Sequence, residues 1–357
     1  MDVTVNTQIL AQELKLLEKI AASKPTIAVL GNVLLRADDL LYLYATDAEI
    51  GLSTSVSAFI AAKGSTTLPA KKFLAIVDQM PDADVRITLE GTVVHLQCGS
   101  FKSRLQSLPP QDFPAMPAME GTMIEVPAPM FQSLIDKVRY AISEKGERPE
   151  LSGALLTVQE GNLSMVATDG KRLAVARIVG GFNGDVISAL IPSKTLDIIN
   201  GLTTDKNITF SRGERLLFFQ MGPRLMFSRQ VDGRYPAYER IIPKEHDKTV
   251  TVSRQTLASA LRRVGLVADE TQHAMDLHFT NGSVAIRSSS AQVGDADETV
   301  STAYEGEDIS VMLNWKMLLQ FLEAAVGKSV NIQMKTPQHA LLLTDGENFL
   351  NVLSVIR

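Results

Sequence analysis

Cysteine is almost absent from the chain. Cys98 is the only one in 357 residues, so no internal disulfide can form and a reducing compartment suits the protein. Long apolar runs are missing too: Ala324–Val326 and Leu341–Leu343 fall far short of the roughly 20 residues that span a bilayer. Met1-Asp2-Val3-Thr4 lacks the basic-then-apolar order of a signal peptide, and the expectation is a cytoplasmic protein with no membrane partner. Aromatics amount to 6% and do not interleave with basic residues, which argues against a stacking platform for single strands. The phosphate loop G-x-x-x-x-G-K-[ST], the dinucleotide fingerprint G-x-G-x-x-G and the nucleophile elbow G-x-S-x-G are all lacking. His95 and Cys98 fall on opposite faces of one strand, and His273 and His278 do not share a helix face. No catalytic residue, metal site or cofactor is therefore expected. A net charge of −5 excludes a coat of basic surface but leaves room for a locally basic face.

What the chain does contain is a threefold repeat. Its length exceeds the roughly 250 to 300 residues of a single core, so several cores are expected. Val3–Val5, Ile124–Val126 and Val250–Val252 each lead into an amphipathic helical segment, over Gln8–Ala21, Met130–Ile142 and Thr256–Val267. A second helix start recurs at Leu68-Pro-Ala-Lys71, Ile191-Pro-Ser-Lys194 and Leu313-Asn-Trp-Lys316, and Thr46-Asp47 recurs as Thr168-Asp169. These markers share a period of about 122 residues. Between them the pattern alternates with period two, as in Val85–Leu89 and Leu216–Phe219, and turn pairs such as Glu160-Gly161 and Asn281-Gly282 separate the runs. The expectation is an α+β chain of three repeated domains, residues 1–120, 121–245 and 246–357. Three such domains leave unmatched sheet edges, which a head-to-tail partner can close into a ring.

Charge is partly segregated. The helical segments carry Lys15, Lys19, Lys24, Lys71, Lys72, Lys137, Lys194 and Lys316, while acids gather in turns and strand ends, as at Asp295, Asp297 and Glu298. An acidic protein with basic helices facing a channel would attract phosphates without reading bases and could slide. The repeated Thr-Asp phrase reads as a turn in which Asp caps backbone N–H groups, not as a catalytic loop.

Several phrases then name a family. Leu68-Pro-Ala-Lys-Lys-Phe73, Leu108-Pro-Pro-Gln-Asp-Phe-Pro114, Ala167-Thr-Asp-Gly-Lys-Arg-Leu-Ala174 and Val231-Asp-Gly-Arg-Tyr-Pro-Ala-Tyr-Glu-Arg-Ile-Ile-Pro243 resemble the bacterial DNA polymerase III beta subunits, the sliding clamps, over essentially the whole chain. The resemblance implies a homodimeric ring with helices lining the hole and sheets outside, encircling double-stranded DNA without sequence preference. It implies a groove between the second and third domains that takes short peptide motifs from DNA polymerases, the clamp loader and repair proteins. Carried over residue by residue, that groove comprises Leu151, Thr168, Gly170, Lys171, Arg172, Leu173, Pro236, Arg240, Ile241, Val352, Leu353, Val355 and Arg357. The DNA-facing set is Lys24, Lys71, Lys72, Lys145, Arg148 and Lys194. The dimer joint is expected at Lys72, Lys102, Arg104, Leu105, Leu266 and Val267, with acids near Asp295–Glu298 complementing its bases. Lys171 stands where relatives often have His, and the tail Leu353-Ser-Val-Ile-Arg357 departs from the usual Met-Pro-Met-Arg-Leu, so the groove rim is altered. A diverged paralogue or ring scaffold with other partners, and a repeat enzyme with an unrecognised site, are the alternatives.

Overall fold

The computed structural model describes residues 1–144, 148–182, 186–202 and 207–356. The first repeat runs β1 (Asp2–Asn6), α1 (Thr7–Glu18), β2 (Asn32–Ala37), β3 (Leu41–Thr46), β4 (Ile50–Val56), β5 (Phe59–Ala62), β6 (Gly64–Pro69), α2 (Ala70–Val77), β7 (Asp84–Glu90), β8 (Val93–Cys98) and β9 (Phe101–Gln106). The second runs β10 (Met123–Pro127), α3 (Ala128–Val138), β11 (Gly153–Gln159), β12 (Asn162–Thr168), β13 (Arg172–Ile178), β14 (Ile187–Pro192), α4 (Ser193–Gly201), β15 (Asn207–Arg212), β16 (Leu216–Met221) and β17 (Arg224–Arg229). The third runs β18 (Lys248–Ser253), α5 (Arg254–Val264), β19 (Ala274–Thr280), β20 (Ser283–Ser290), β21 (Gly294–Ala303), β22 (Ile309–Asn314), α6 (Trp315–Ala324), β23 (Ser329–Met334), β24 (Leu341–Thr344) and β25 (Phe349–Leu353). One order of elements thus occurs three times, with β5 as an addition to the first.

Local chemistry sets these boundaries. Asn6, Ser253 and Asn314 cap α1, α5 and α6 by accepting from backbone N–H groups two or three residues on, which satisfies donors that a helix start leaves orphaned. Pro69 takes the cap position of α2 without a side-chain bond. The helices predicted over 130–142 and 256–267 end earlier as α-helix and finish in a 3-10 turn, Arg139–Ala141 and Gly265–Val267.

The chain divides into two compact units, one of residues 1–129 and 197–230 and the other of 130–196 and 231–357. In the first, a five-stranded sheet has the order β5-β1-β7-β8-β9, and an eight-stranded sheet the order β10-β15-β16-β17-β4-β3-β2-β6. In the second, a twelve-stranded sheet has the order β14-β11-β12-β13-β25-β24-β23-β18-β21-β20-β19-β22. Sheets therefore run on from one repeat to the next, β17 pairing with β4 and β13 with β25, both antiparallel. Alternate residues of these strands are buried beneath the helices; Leu10, Leu14 and Phe73 in the first unit and Leu257, Leu261 and Phe321 in the second are fully covered.

Candidate peptide groove and basic helix starts

In the second unit, the β13–β25 joint carries an apolar cluster on the sheet face away from the helices. Val166, Leu173, Val175, Leu342 and Val352 form it. Period-two alternation puts them together: Leu173 and Val175 share a face of β13, Val166 lies opposite Val175, and Val352 lies opposite Leu173. Leu155, Tyr235, Tyr238 and Ile242 border the cluster half-buried. Burial pushes the hydroxyl pKa values of both tyrosines upward; the Tyr235 hydroxyl donates to the Val166 carbonyl at 3.3 Å, so both rings stay neutral and apolar. Of the residues predicted for the groove, Leu173 and Val352 form this floor. Pro236 lies half-buried in the bordering segment, and Arg240 and Ile241 are exposed beside it.

Thr168, Asp169 and Gly170 make the turn that enters β13. Asp169 Oδ1 accepts from the N–H groups of Lys171 and Arg172 at 2.9 and 3.0 Å, and the Thr168 hydroxyl donates to the Arg172 carbonyl at 2.6 Å. The first repeat holds the same turn: Asp47 Oδ1 accepts from Glu49 and Ile50, and Thr46 donates to the Ile50 carbonyl. The aspartate is a turn former in both copies, as its repetition implies.

Arg172 stands apart from the floor residues. Alternation turns it to the opposite face from Leu173, where Asp169 Oδ2 receives its Nε at 3.0 Å and its terminal nitrogens donate to Gln320 and the Tyr140 carbonyl. Its guanidinium lies 5.1 Å from the Tyr140 ring centre, and the side chain is 9% exposed. It lines a cleft of about 860 Å³ with Leu151, Lys171, Arg148, Asp136, Met317 and others. Leu151 is buried there, and Arg148 is tied to Glu150 at 3.0 Å. Leu353 is fully buried opposite Arg172; Val355 is half-buried. Arg357 and Lys145 lie outside the described residues. The predicted groove residues thus occupy two neighbouring places, an apolar face and a polar cleft. Val166, Val175, Leu342, Tyr235 and Tyr238 were missed, although stepping by two along β13 from Leu173 reaches Val175.

Lys71, Lys194 and Lys316 are each the second residue of their helices α2, α4 and α6, and all are exposed. Lys72 and Lys24 are also exposed. A lysine in a first turn faces the positive end of the helix dipole, an unfavourable placement worth roughly 0.3–1 kcal/mol, and it is made three times. Lys15 pairs with Asp78 at 2.6 Å, and Lys316 lies 3.3 Å from His273 Nε2. Of the expected joint residues, Lys102 and Arg104 are exposed on β9 and Leu105 half-buried, Leu266 is 81% exposed, and Val267 half-buried. Glu298 is drawn away from the acidic set by Arg263, whose Nε lies 2.8 Å from its carboxylate, and its pKa falls below the usual range through that hydrogen bond. His95 lies 3.5 Å from Glu90 while Cys98 is buried. No helix among the described residues is long and apolar enough to cross a membrane.

Comparison with known proteins accounts for all three repeats. Residues 1–117 match the N-terminal, 125–237 the central and 239–355 the C-terminal domain of the DNA polymerase III beta subunit. The beta sliding clamp of Treponema pallidum is 29% identical over 353 residues, covering 96% of this chain and 95% of the relative. That of Proteus mirabilis is 29% identical over 360 residues, with 96% and 94% covered. The crystal structure of the DNA polymerase III subunit beta from Pseudomonas aeruginosa superposes with a TM-score of 0.96 at 28% identity, all of both chains being covered.

Proposed function

The chain belongs to the DNA polymerase III beta subunit family, whose members are sliding clamps and not enzymes, and from that premise we propose how this one engages its partners. Two copies close head to tail around duplex DNA, in three domains each with borders near 120 and 245, and the ring works in the cytoplasm. The observation that carries the DNA-facing half of this reading is the exposed lysine at the second position of α2, α4 and α6. Repeated against the helix dipole, it supplies positive charge where a phosphate backbone would repay the cost. Contacts of this kind position without specifying sequence, which suits sliding. Lys24 and Lys72, both exposed, add positive charge to the first unit.

Tethering falls to the apolar face built on Leu173 and Val352. An extended peptide with Leu or Phe anchors fits a floor of branched aliphatic side chains bordered by two tyrosines. Polymerases, the clamp loader and repair proteins would dock there in turn. Lys171 and Arg240, both exposed, would meet acidic or carbonyl groups of the peptide; Arg172 would act indirectly, by holding the cleft wall. Titration of the purified chain with a labelled polymerase-derived peptide tests the site. Leu173→Ala is expected to raise the dissociation constant about tenfold, in line with loss of an apolar anchor contact, while the dimer and the circular dichroism spectrum stay as they were. An unchanged constant in a folded variant would move the docking site elsewhere.

A further inference from the structure

The β17–β4 and β13–β25 joints share one register. At the first, Phe227 lies opposite Gly51 and Met226 opposite Leu52; at the second, Val352 lies opposite Leu173 and Asn351 opposite Ala174. The turns before β4 and β13 fix the correspondence, since the Thr46 hydroxyl donates to the Ile50 carbonyl as that of Thr168 does to the Arg172 carbonyl. Ile50 therefore stands in the place of Arg172, and Met226 in that of Asn351. Both are apolar and buried. A joint of this geometry thus packs toward its helices without a charge or an amide at either place, yet the joint that carries the groove has both.

Asn351 is fully buried, where an amide lowers stability unless its donors and acceptor are met. Alternation along β25 turns it away from the face of Leu350 and Val352 and toward the helices. Its Nδ2 donates to the Tyr140 hydroxyl at 2.7 Å, while its Oδ1 has no hydrogen-bond partner among the described residues. Tyr140 belongs to the 3-10 turn that follows α3, and burial pushes its hydroxyl pKa upward, which keeps the group neutral. The carbonyl of the same residue receives Arg172, and its ring lies 5.1 Å from the guanidinium. Gln320 of α6 and Asp169 hold the other nitrogens of Arg172. Lys137, in the last turn of α3, rests 5.7 Å from the centre of the Phe349 ring on β25.

Tyr140 therefore grips both strands of the joint from the helix side, β25 through its hydroxyl and β13 through its carbonyl and ring. The two residues it holds, Asn351 and Arg172, are the chain neighbours of Val352 and Leu173, the facing pair of the groove floor. We propose that Asn351 and Tyr140 are positioning residues of the groove, which fix through Arg172 the spacing of Leu173 and Val352 and so present an apolar peptide anchor with a preformed floor. Both act from the opposite face of the sheet, through the backbone of the two strands. This rests on the groove reading above and adds to it the residues that set its affinity. A hydrogen bond is directional and admits one spacing, whereas packed apolar groups tolerate several. A floor held in its binding geometry loses less freedom when the peptide arrives, and binds it more tightly. That gain accounts for a buried amide at the one joint and its replacement by methionine at the other.

Asn351→Met combined with Tyr140→Phe, made in the full chain, removes the polar contact while keeping its bulk and the ring beside Arg172. Replacing both partners of a buried hydrogen bond by apolar groups of like shape is close to neutral or stabilising, so the thermal midpoint is expected to hold or rise. A labelled polymerase-derived peptide with a Leu or Phe anchor is expected to bind about fivefold more weakly all the same. In a Leu173→Ala background the same exchange should cost less than about twofold, because the floor it positions is already lost. A contact that only stabilises the fold would shift the midpoint and leave the dissociation constant of the folded protein alone. Should the double exchange fail to fold, Tyr140→Phe alone carries the test, with a rise of about twofold expected. An unchanged constant in the folded variant, with Leu173→Ala still weakening the peptide, overturns the positioning role and leaves the groove in place. A peptide indifferent to Leu173→Ala as well overturns the groove reading with it.

Discussion

Glu13 shows what a single side chain can hold together. It sits on α1, 10% exposed, and receives Arg224 of β17 through both carboxylate oxygens, Nε at 3.0 Å and Nη2 at 2.6 Å. The pairing raises the pKa of Arg224 through that hydrogen bond and fastens the helix of the first repeat to the last strand of the second. Removing one member of a largely buried pair strands the other charge. Glu13→Ala is expected to lower unfolding free energy by about 3 kcal/mol, read from the urea midpoint, and Arg224→Met in the same chain should recover part of it. A loss below about 0.5 kcal/mol would show the pair to be no more than a surface contact. None of this was legible in the sequence, where the two residues are 211 positions apart. The Asp169 turn was legible because Asp47 repeats it. The aim of Arg172 was not, since it depends on Tyr140 and Gln320, which meet it only in the folded unit.

At the scale of elements, the two joints within the chain differ in what fills their outer face. At the β17–β4 joint the Phe227 ring lies over Gly51, and a Cβ there would collide with it. Phe113 packs edge-on against Tyr44 at 5.3 Å, and Met116 and Met119 cover the rest. At the β13–β25 joint the same two register places hold Leu173 and Val352, and Leu155, Tyr235, Tyr238 and Leu350 pack against them. Both joints are thus covered by their own chain, the first by Phe113 and two methionines and the second by Tyr235 and Tyr238. Gly51→Ala is expected to destabilise the first unit by about 1–3 kcal/mol through overpacking, visible as an earlier thermal transition, without altering peptide binding by the second unit. An unchanged transition would mean that the Phe227 ring moves aside freely. Strand alternation and turn pairs made these elements readable in advance, and the repeated Lys, preceded by Pro in two of the three copies, placed the second helix of each repeat. The 3-10 endings of two long helices could not be read, because only packing decides where the last turn tightens.

At the scale of the molecule, the threefold repeat was the most readable feature, since each marker recurs with nearly the same spacing and each copy folds into the same order of elements. Less readable was the way sheets run across repeat borders, so that the compact units do not coincide with the repeats. Strand partners from different repeats leave no signature within either segment, and their pairing follows from edges that are otherwise unmatched. The account as a whole turns on a ring threaded by DNA. Its most direct test is retention after loading by a clamp loader onto nicked circular DNA, followed by gel filtration, with half the sample linearised by a single cut. The account predicts that protein stays with the circle and runs off the linear molecule. Equal retention on both, or retention on neither, would contradict a topological link.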